Sequence, residues 1–154
     1  MAVLDLNNIA KNCVEYLNDT ARKKGISLLY YGVDAPLFFK GGKEILELSI
    51  RHLIQNAIEV CGKGDRITVK VVPSHDGVHL LIEDTGPGIP KDILTHIFDP
   101  IHASDCSRVG LGLPFVKQVI EEHRGEIHIS STEGEGTVIS IEFPIYLPEK
   151  TSNQ

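Results

Sequence analysis

Ile82-Glu83-Asp84-Thr85-Gly86-Pro87-Gly88-Ile89-Pro90 is the stretch on which the reading of this chain turns. An apolar run ends on a carboxylate and then breaks into two glycines and two prolines. Upstream, Val78, Leu80 and Ile82 alternate, as do Ile67, Val69 and Val71, with Pro73-Ser74-His75-Asp76-Gly77 between the two sets. Period-two alternation on both sides of a turn predicts a β-hairpin. Asp84 then leaves the sheet at a strand end.

The rest of the chain fills in around that hairpin. Leu6, Ile9, Ala10, Cys13, Val14, Leu17 and Ala21 recur at threes and fours, predicting an amphipathic helix over 5–24 with Asp5 as N-cap and Gly25 as stop. Strands are expected at 26–31 and, more weakly, 37–40, and a second helix at 43–61 that ends in Gly62-Lys63-Gly64-Asp65. A short helix is expected over 91–98 and a third long one over 111–123. Two final strands carry Ile127 and Ile129, then Ile139, Ile141 and Phe143, around Glu133-Gly134-Glu135-Gly136. Helices interspersed with antiparallel hairpins predict a single sheet with helices on one face, not a Rossmann domain.

Length and composition agree. The chain has 154 residues, and 15 Lys+Arg against 21 Asp+Glu give a net charge of −6. One domain is expected over 1–148, followed by a polar tail at 149–154. The acidic balance argues against nucleic acid as a partner. No apolar run reaches bilayer-spanning length. Cys13, Cys61 and Cys106 form no CxxC, so neither a disulfide framework nor a zinc ribbon is expected, and a reduced cytoplasmic setting fits.

Four places carry polar chemistry. On the second helix, Ser49, His52 and Asn56 form a polar stripe beside the apolar arc, and Glu59 extends it. An Asn amide oxygen suits magnesium, although on this helix alone a buried Asn bonded to backbone and a satisfied core histidine are the favoured reading. Asp84 with its glycines is either a strand-ending turn or an acceptor for an exocyclic amine such as adenine's, where Gly86 and Gly88 let the backbone approach a flat ring. Gly110-Leu111-Gly112-Leu113-Pro114 opens a helix, and glycines before free helix N–H groups make an anion site. No GxxxxGK[ST] occurs, which excludes Walker-A chemistry. Ile97-Phe98-Asp99-Pro100-Ile101 reads as the hinge of a loop or as routine core. His102, Asp105 and Cys106 lack the closing set a metal site needs.

In this order, Asn on a helix, DxGxG after a strand, Phe-acid-Pro and GLGL into a helix resemble the N, G1, F and G2 boxes of the GHKL ATPases. The branch resembled is the catalytic and ATP-binding domain of bacterial sensor histidine kinases, and Val116 to Gly125 resembles that branch's sequence after the G2 box. The resemblance covers nearly the whole chain. It implies the Bergerat fold, an α/β two-layer sandwich with a mixed, mostly antiparallel sheet, three main helices on one face and a lid over ATP. By the same resemblance Asn56 binds Mg2+ and Asp84 reads the adenine amine, with Gly86, Gly88 and Ile89 shaping the base pocket. Gly110, Leu111, Gly112 and Leu113 cradle phosphates, Phe98 seats the lid and Thr137 supports the adenine end through water. Glu59 joins the ATP-binding set, and His52, Asn56 and Arg108 form the catalytic one. The implied partners are ATP or ADP, a histidine phosphoacceptor and dimerisation domain, and a response regulator receiver domain.

Several positions depart from that pattern. His52 stands where the N box usually has another Asn, Ile101 where the F box usually ends in Phe, and Asp105 where a lysine often neutralises phosphate. A carboxylate there would repel the γ-phosphate, so Asp105 points away or Arg108 takes over. None of the seven histidines sits in a phosphoacceptor motif, so an excised domain or a split kinase is expected, with little turnover on its own. Two alternatives stand beside this: a stand-alone serine kinase of the anti-sigma-factor type, and a nucleotide-sensing module with a degenerate lid.

Overall fold

A computed structural model describes residues 1–99 and 112–146. The strands are β1 (Ala2–Asp5), β2 (Ser27–Tyr31), β3 (Phe38–Gly41), β4 (Arg66–Pro73), β5 (Gly77–Asp84), β6 (Glu126–Thr132) and β7 (Gly136–Pro144). The helices are α1 (Leu6–Lys23), α2 (Lys43–Val60), α3 (Lys91–Leu94) and α4 (Leu113–Glu122). Five strands form one sheet in the order β2-β4-β5-β7-β6. Only β2 and β4 run parallel; the other neighbours are antiparallel.

Alternation decides which side of the sheet is covered. Ile67, Val69 and Val71, then Val78, Leu80 and Ile82, then Ile139, Ile141 and Phe143 all point into the core and are buried. The opposite face carries the Lys70–Glu83 ion pair and a bond between His79 Nε2 and Ser140 Oγ at 2.5 Å. Helices α1 and α2 pack together on the apolar side, and α4 packs on α2 and β6.

Helix α1 buries the full stripe read from the sequence, from Leu6 to Ala21. Its N-cap is Asp5, whose Oδ1 accepts from Asn7 N at 3.0 Å and from Leu37 N at 3.1 Å, so the cap also ties in the segment before β3. At the other end, Lys24 Nζ donates at 2.8 Å to the carbonyls of Ile58 and Glu59, placing a cation at the C-terminus of α2.

A single sheet was the expectation; the structure adds a two-stranded ribbon in which β1 pairs antiparallel with β3. Ala2-Val3-Leu4 is a run of three apolar residues, too short and without the alternation that announces a strand, and its partner lies far along the chain. The ribbon reaches the core through Phe39, which stacks on Phe143 with ring centroids 4.7 Å apart.

Buried His123 clamps two helices. Its Nδ1 bonds the Val119 carbonyl at 2.7 Å, and its Nε2 accepts from the N–H of Gly42, the N-cap of α2, at 3.0 Å. This is a neutral imidazole with both nitrogens used. His123→Ala leaves that N–H without its acceptor and opens a gap beside Phe143, so it costs about 2–3 kcal/mol and lowers Tm by roughly 4–12 °C. Thermal unfolding followed by circular dichroism measures it.

Candidate functional site

Where α2, the end of β5 and the β6–β7 hairpin meet, they enclose a cavity. It is lined by Leu53, Asn56, Ala57 and Val60 from α2, Asp84, Gly88 and Ile89 from the β5 exit, Leu113 from α4, and Ile129, Thr137 and Ile139 from the hairpin. Eleven residues line it, and three of them, Asn56, Asp84 and Thr137, carry polar side chains. A mostly apolar wall with a few converging polar groups is what a flat, hydrogen-bonding ligand requires. The cavity is narrow, with a volume of about 30 Å3.

Asp84 sits where β5 leaves the sheet, opposite Ile67 on one side and Thr137 on the other. Its Oδ1 accepts from the N–H of Gly86 at 2.8 Å. Burial pushes its carboxyl above the usual carboxylate range; the Gly86 N–H opposes that, nearby Asp65 adds to it, and the Thr137 N–H and the Cys61 thiol oppose it. Such a partly desolvated, backbone-oriented acceptor is suited to an amine donor.

The turn after Asp84 is fixed to the β6–β7 hairpin. Ser131 Oγ accepts from Ile89 N at 2.8 Å, donates to the Gly136 carbonyl at 2.9 Å and bonds Thr137 Oγ1 at 2.8 Å. Gly88 has φ +74°, and a Cβ there would meet the Thr132 carbonyl oxygen at 2.3 Å, so no other residue fits without displacing backbone. Ser131 escaped the sequence reading. Its signal is the cross-strand register that puts it opposite Thr137.

Of the polar stripe on α2, Ser49 is satisfied within its own helix, donating to the Ile45 carbonyl at 2.9 Å. Asn56, 8% exposed, faces the cavity. His52 lies against the start of α4: a Cβ on Gly112 would fall 2.1 Å from His52 Nε2. Gly112, with φ +80°, is the N-cap of α4 and provides no side-chain cap, and Pro114 is in the first turn. The structure therefore brings together His52, Asn56, Asp84, Gly88, Ile89, Gly112, Leu113 and Thr137, with Gly86 behind Asp84. Two predicted residues stand apart. Glu59 is exposed and does not line the cavity, and Phe98 is half-buried with Lys117 Nζ 5.3 Å from its ring centroid. Arg108, Gly110 and Leu111 lie outside the described residues, as do Ile101, Asp105, Cys106 and the tail at 149–154.

The donor set bears on a metal. Among the described residues no group of three His, Cys, Asp or Glu side chains could hold one. Asn56 offers a single neutral oxygen beside the cavity, which suits a hard cation that takes its other ligands from phosphates and water, as magnesium does. No helix among the described residues is long and apolar enough to cross a membrane.

Comparison with known proteins agrees with this geometry. Residues 41–147 match the family model described as histidine kinase-, DNA gyrase B-, and HSP90-like ATPase. The sensor histidine kinase ZraS of Escherichia coli (strain K12) is 28% identical over 150 residues, covering 97% of this chain and 32% of ZraS. Sporulation kinase A of Bacillus subtilis (strain 168) is 28% identical over 141 residues, covering 92% of this chain and 23% of its own. The chain thus spans a third or less of the length of these relatives. The catalytic domain of the histidine kinase ThkA, solved in a nucleotide-free form, superposes with a TM-score of 0.82 at 25% identity, covering 93% of this chain and 94% of that one. The mycobacterial sensor histidine kinase MprB gives 0.78 at 26%, covering 94% and 97%. A carboxylate at the end of β5, an amide on α2 and a glycine-capped helix around one apolar cavity thus sit on a shared fold, and the chain belongs to the histidine kinase-, DNA gyrase B-, and HSP90-like ATPases, as a domain like those of sensor histidine kinases.

Proposed function

We propose that this chain binds Mg·ATP and donates the γ-phosphate to a histidine on a phosphoacceptor and dimerisation domain, from which a response regulator receiver domain is phosphorylated in turn. The observation that carries the reading is the oriented Asp84 carboxylate opening on an apolar cavity.

Asp84 accepts from the adenine amine, while Leu53, Ala57, Ile89, Ile129 and Ile139 supply apolar walls that exclude water from that bond. Thr137, paired with Asp84 across the strands and bonded by Ser131, supports the adenine end through water. Asn56 would hold, through its amide oxygen, the magnesium that accompanies the phosphates, and that cation would supply the neutralising charge there. The first N–H groups of α4, beyond Gly112, face the phosphate end, and His52 orients groups there. Phosphoryl transfer depends on positioning and charge stabilisation, so a domain built this way holds its substrate and waits for an acceptor.

Histidine is favoured over serine as acceptor because the relatives found in sequence and in fold are sensor histidine kinases. The test is incubation with γ-labelled ATP, magnesium and a panel of isolated phosphoacceptor domains. Label that survives alkali and is lost in acid is the expected result. Acid-stable label on serine, or transfer to no acceptor by a chain that binds ATP, would overturn the assignment.

A further inference from the structure

Cys61 ends α2 and is 2% exposed. A Cβ added to Gly86 would lie 2.9 Å from Cys61 Sγ and 3.0 Å from Asp84 Oδ1, so the thiol and the carboxylate flank the same turn. The Gly86 N–H donates to Asp84 Oδ1 at 2.8 Å, and the Thr137 N–H and the Cys61 thiol lie close enough to favour the ionised carboxylate. An ionised carboxylate is acceptor-only, and its two oxygens are equivalent until donors engage one of them.

We propose that Cys61 is a positioning residue that sets base specificity: packed against the Gly86 turn, its S–H helps engage the inner face of the Asp84 carboxylate and leaves an outer oxygen aimed at a nucleobase amine. The proposal rests on the adenine-nucleotide reading of this cavity and adds a residue to it.

Burial in the first place, then the charges of Asp84 and Asp65, push the Cys61 thiol up to about 12, with Lys24 opposing. It is therefore a protonated donor throughout the working pH range. The charged groups around the pair are Asp65, whose Oδ2 accepts from Gly62 N at 2.8 Å and whose Oδ1 accepts from Thr85 Oγ1 at 3.1 Å, and Lys24 from the end of α1. Removing the thiol takes away a donor that favours the ionised carboxylate.

The experiment is calorimetric titration of the whole chain and its Cys61→Val, Cys61→Ser and Asp84→Asn variants with ATP and GTP between pH 5 and 8. Valine keeps the apolar packing and removes the donor. Cys61→Val is expected to lose about three- to tenfold in ATP affinity, as befits a weak donor, with GTP affinity little changed. The acid-side fall of ATP binding should move to higher pH, and Cys61→Ser should restore both the ATP preference and the profile. Cys61→Ala gives the same readout should valine displace the turn. A Cys61→Val chain with the native ATP-to-GTP ratio and pH profile, beside an Asp84→Asn chain that has lost its ATP preference, would overturn the proposal alone. An Asp84→Asn chain with native ATP affinity would overturn the adenine reading and the proposal together.

Discussion

Asp84→Asn binds ATP roughly ten- to a hundredfold more weakly than the native chain and loses its preference for ATP over GTP. The loss follows from what each group offers the base. Asp84 presents acceptors only, one already engaged by the Gly86 N–H. An asparagine that keeps that bond through its carbonyl turns its NH2 toward the cavity, where it opposes an adenine amine and suits the oxygen that guanine carries instead. The same substitution acts oppositely on the empty fold. Because burial raises the Asp84 carboxyl, its ionised form is penalised in the folded chain. That penalty is absent below the unfolded-state pKa and is complete once pH has risen through the folded-state one, so this group favours folding more as pH falls. Removing the charge therefore leaves the Tm of the nucleotide-free variant at pH 7 equal to or above native. Calorimetry with both nucleotides and thermal melting without them give the two halves of the result; native ATP affinity in the variant is incompatible with the site described here.

Asn56→Ala removes magnesium dependence rather than the fold. Alanine is the best helix former, and Asn56 lies on the cavity wall rather than among the fully buried aliphatics of α2. Without the amide oxygen the nucleotide still finds Asp84, so ATP affinity in EDTA stays near native while the gain on adding magnesium disappears. Phosphotransfer, which requires charge on the γ-phosphate to be neutralised in place, falls by about a hundredfold or more. Titrations with and without magnesium, and a transfer assay on a phosphoacceptor domain, measure the two effects. A variant that keeps its magnesium response assigns the metal to other residues.

Much of this was legible in the sequence because the elements that build the cavity are strongly periodic. The stripe from Leu6 to Ala21 and the alternation in β4, β5 and β7 were readable from side-chain spacing alone, and the DxGxG step marked where β5 releases the chain. Three features escaped for a common reason: they exist only across strands or between elements. The β1–β3 ribbon depends on a long-range pairing, Ser131 becomes meaningful only opposite Thr137, and Cys61 only against the turn at Gly86. The polar stripe on α2 divides in the structure, where one helical face holds both a self-satisfied Ser49 and a cavity-facing Asn56. Glu59 belonged to that stripe by spacing, yet its turn is where α2 runs out to solvent and Lys24 caps the carbonyls.

The central claim is that the cavity at Asp84 takes an adenine nucleotide with magnesium, and calorimetric titration of the native chain with ATP, with and without magnesium, tests it most directly. The account predicts saturable one-to-one binding that magnesium strengthens and that ADP competes for. A chain shown to be folded by its thermal transition that binds no ATP at millimolar concentration would contradict it.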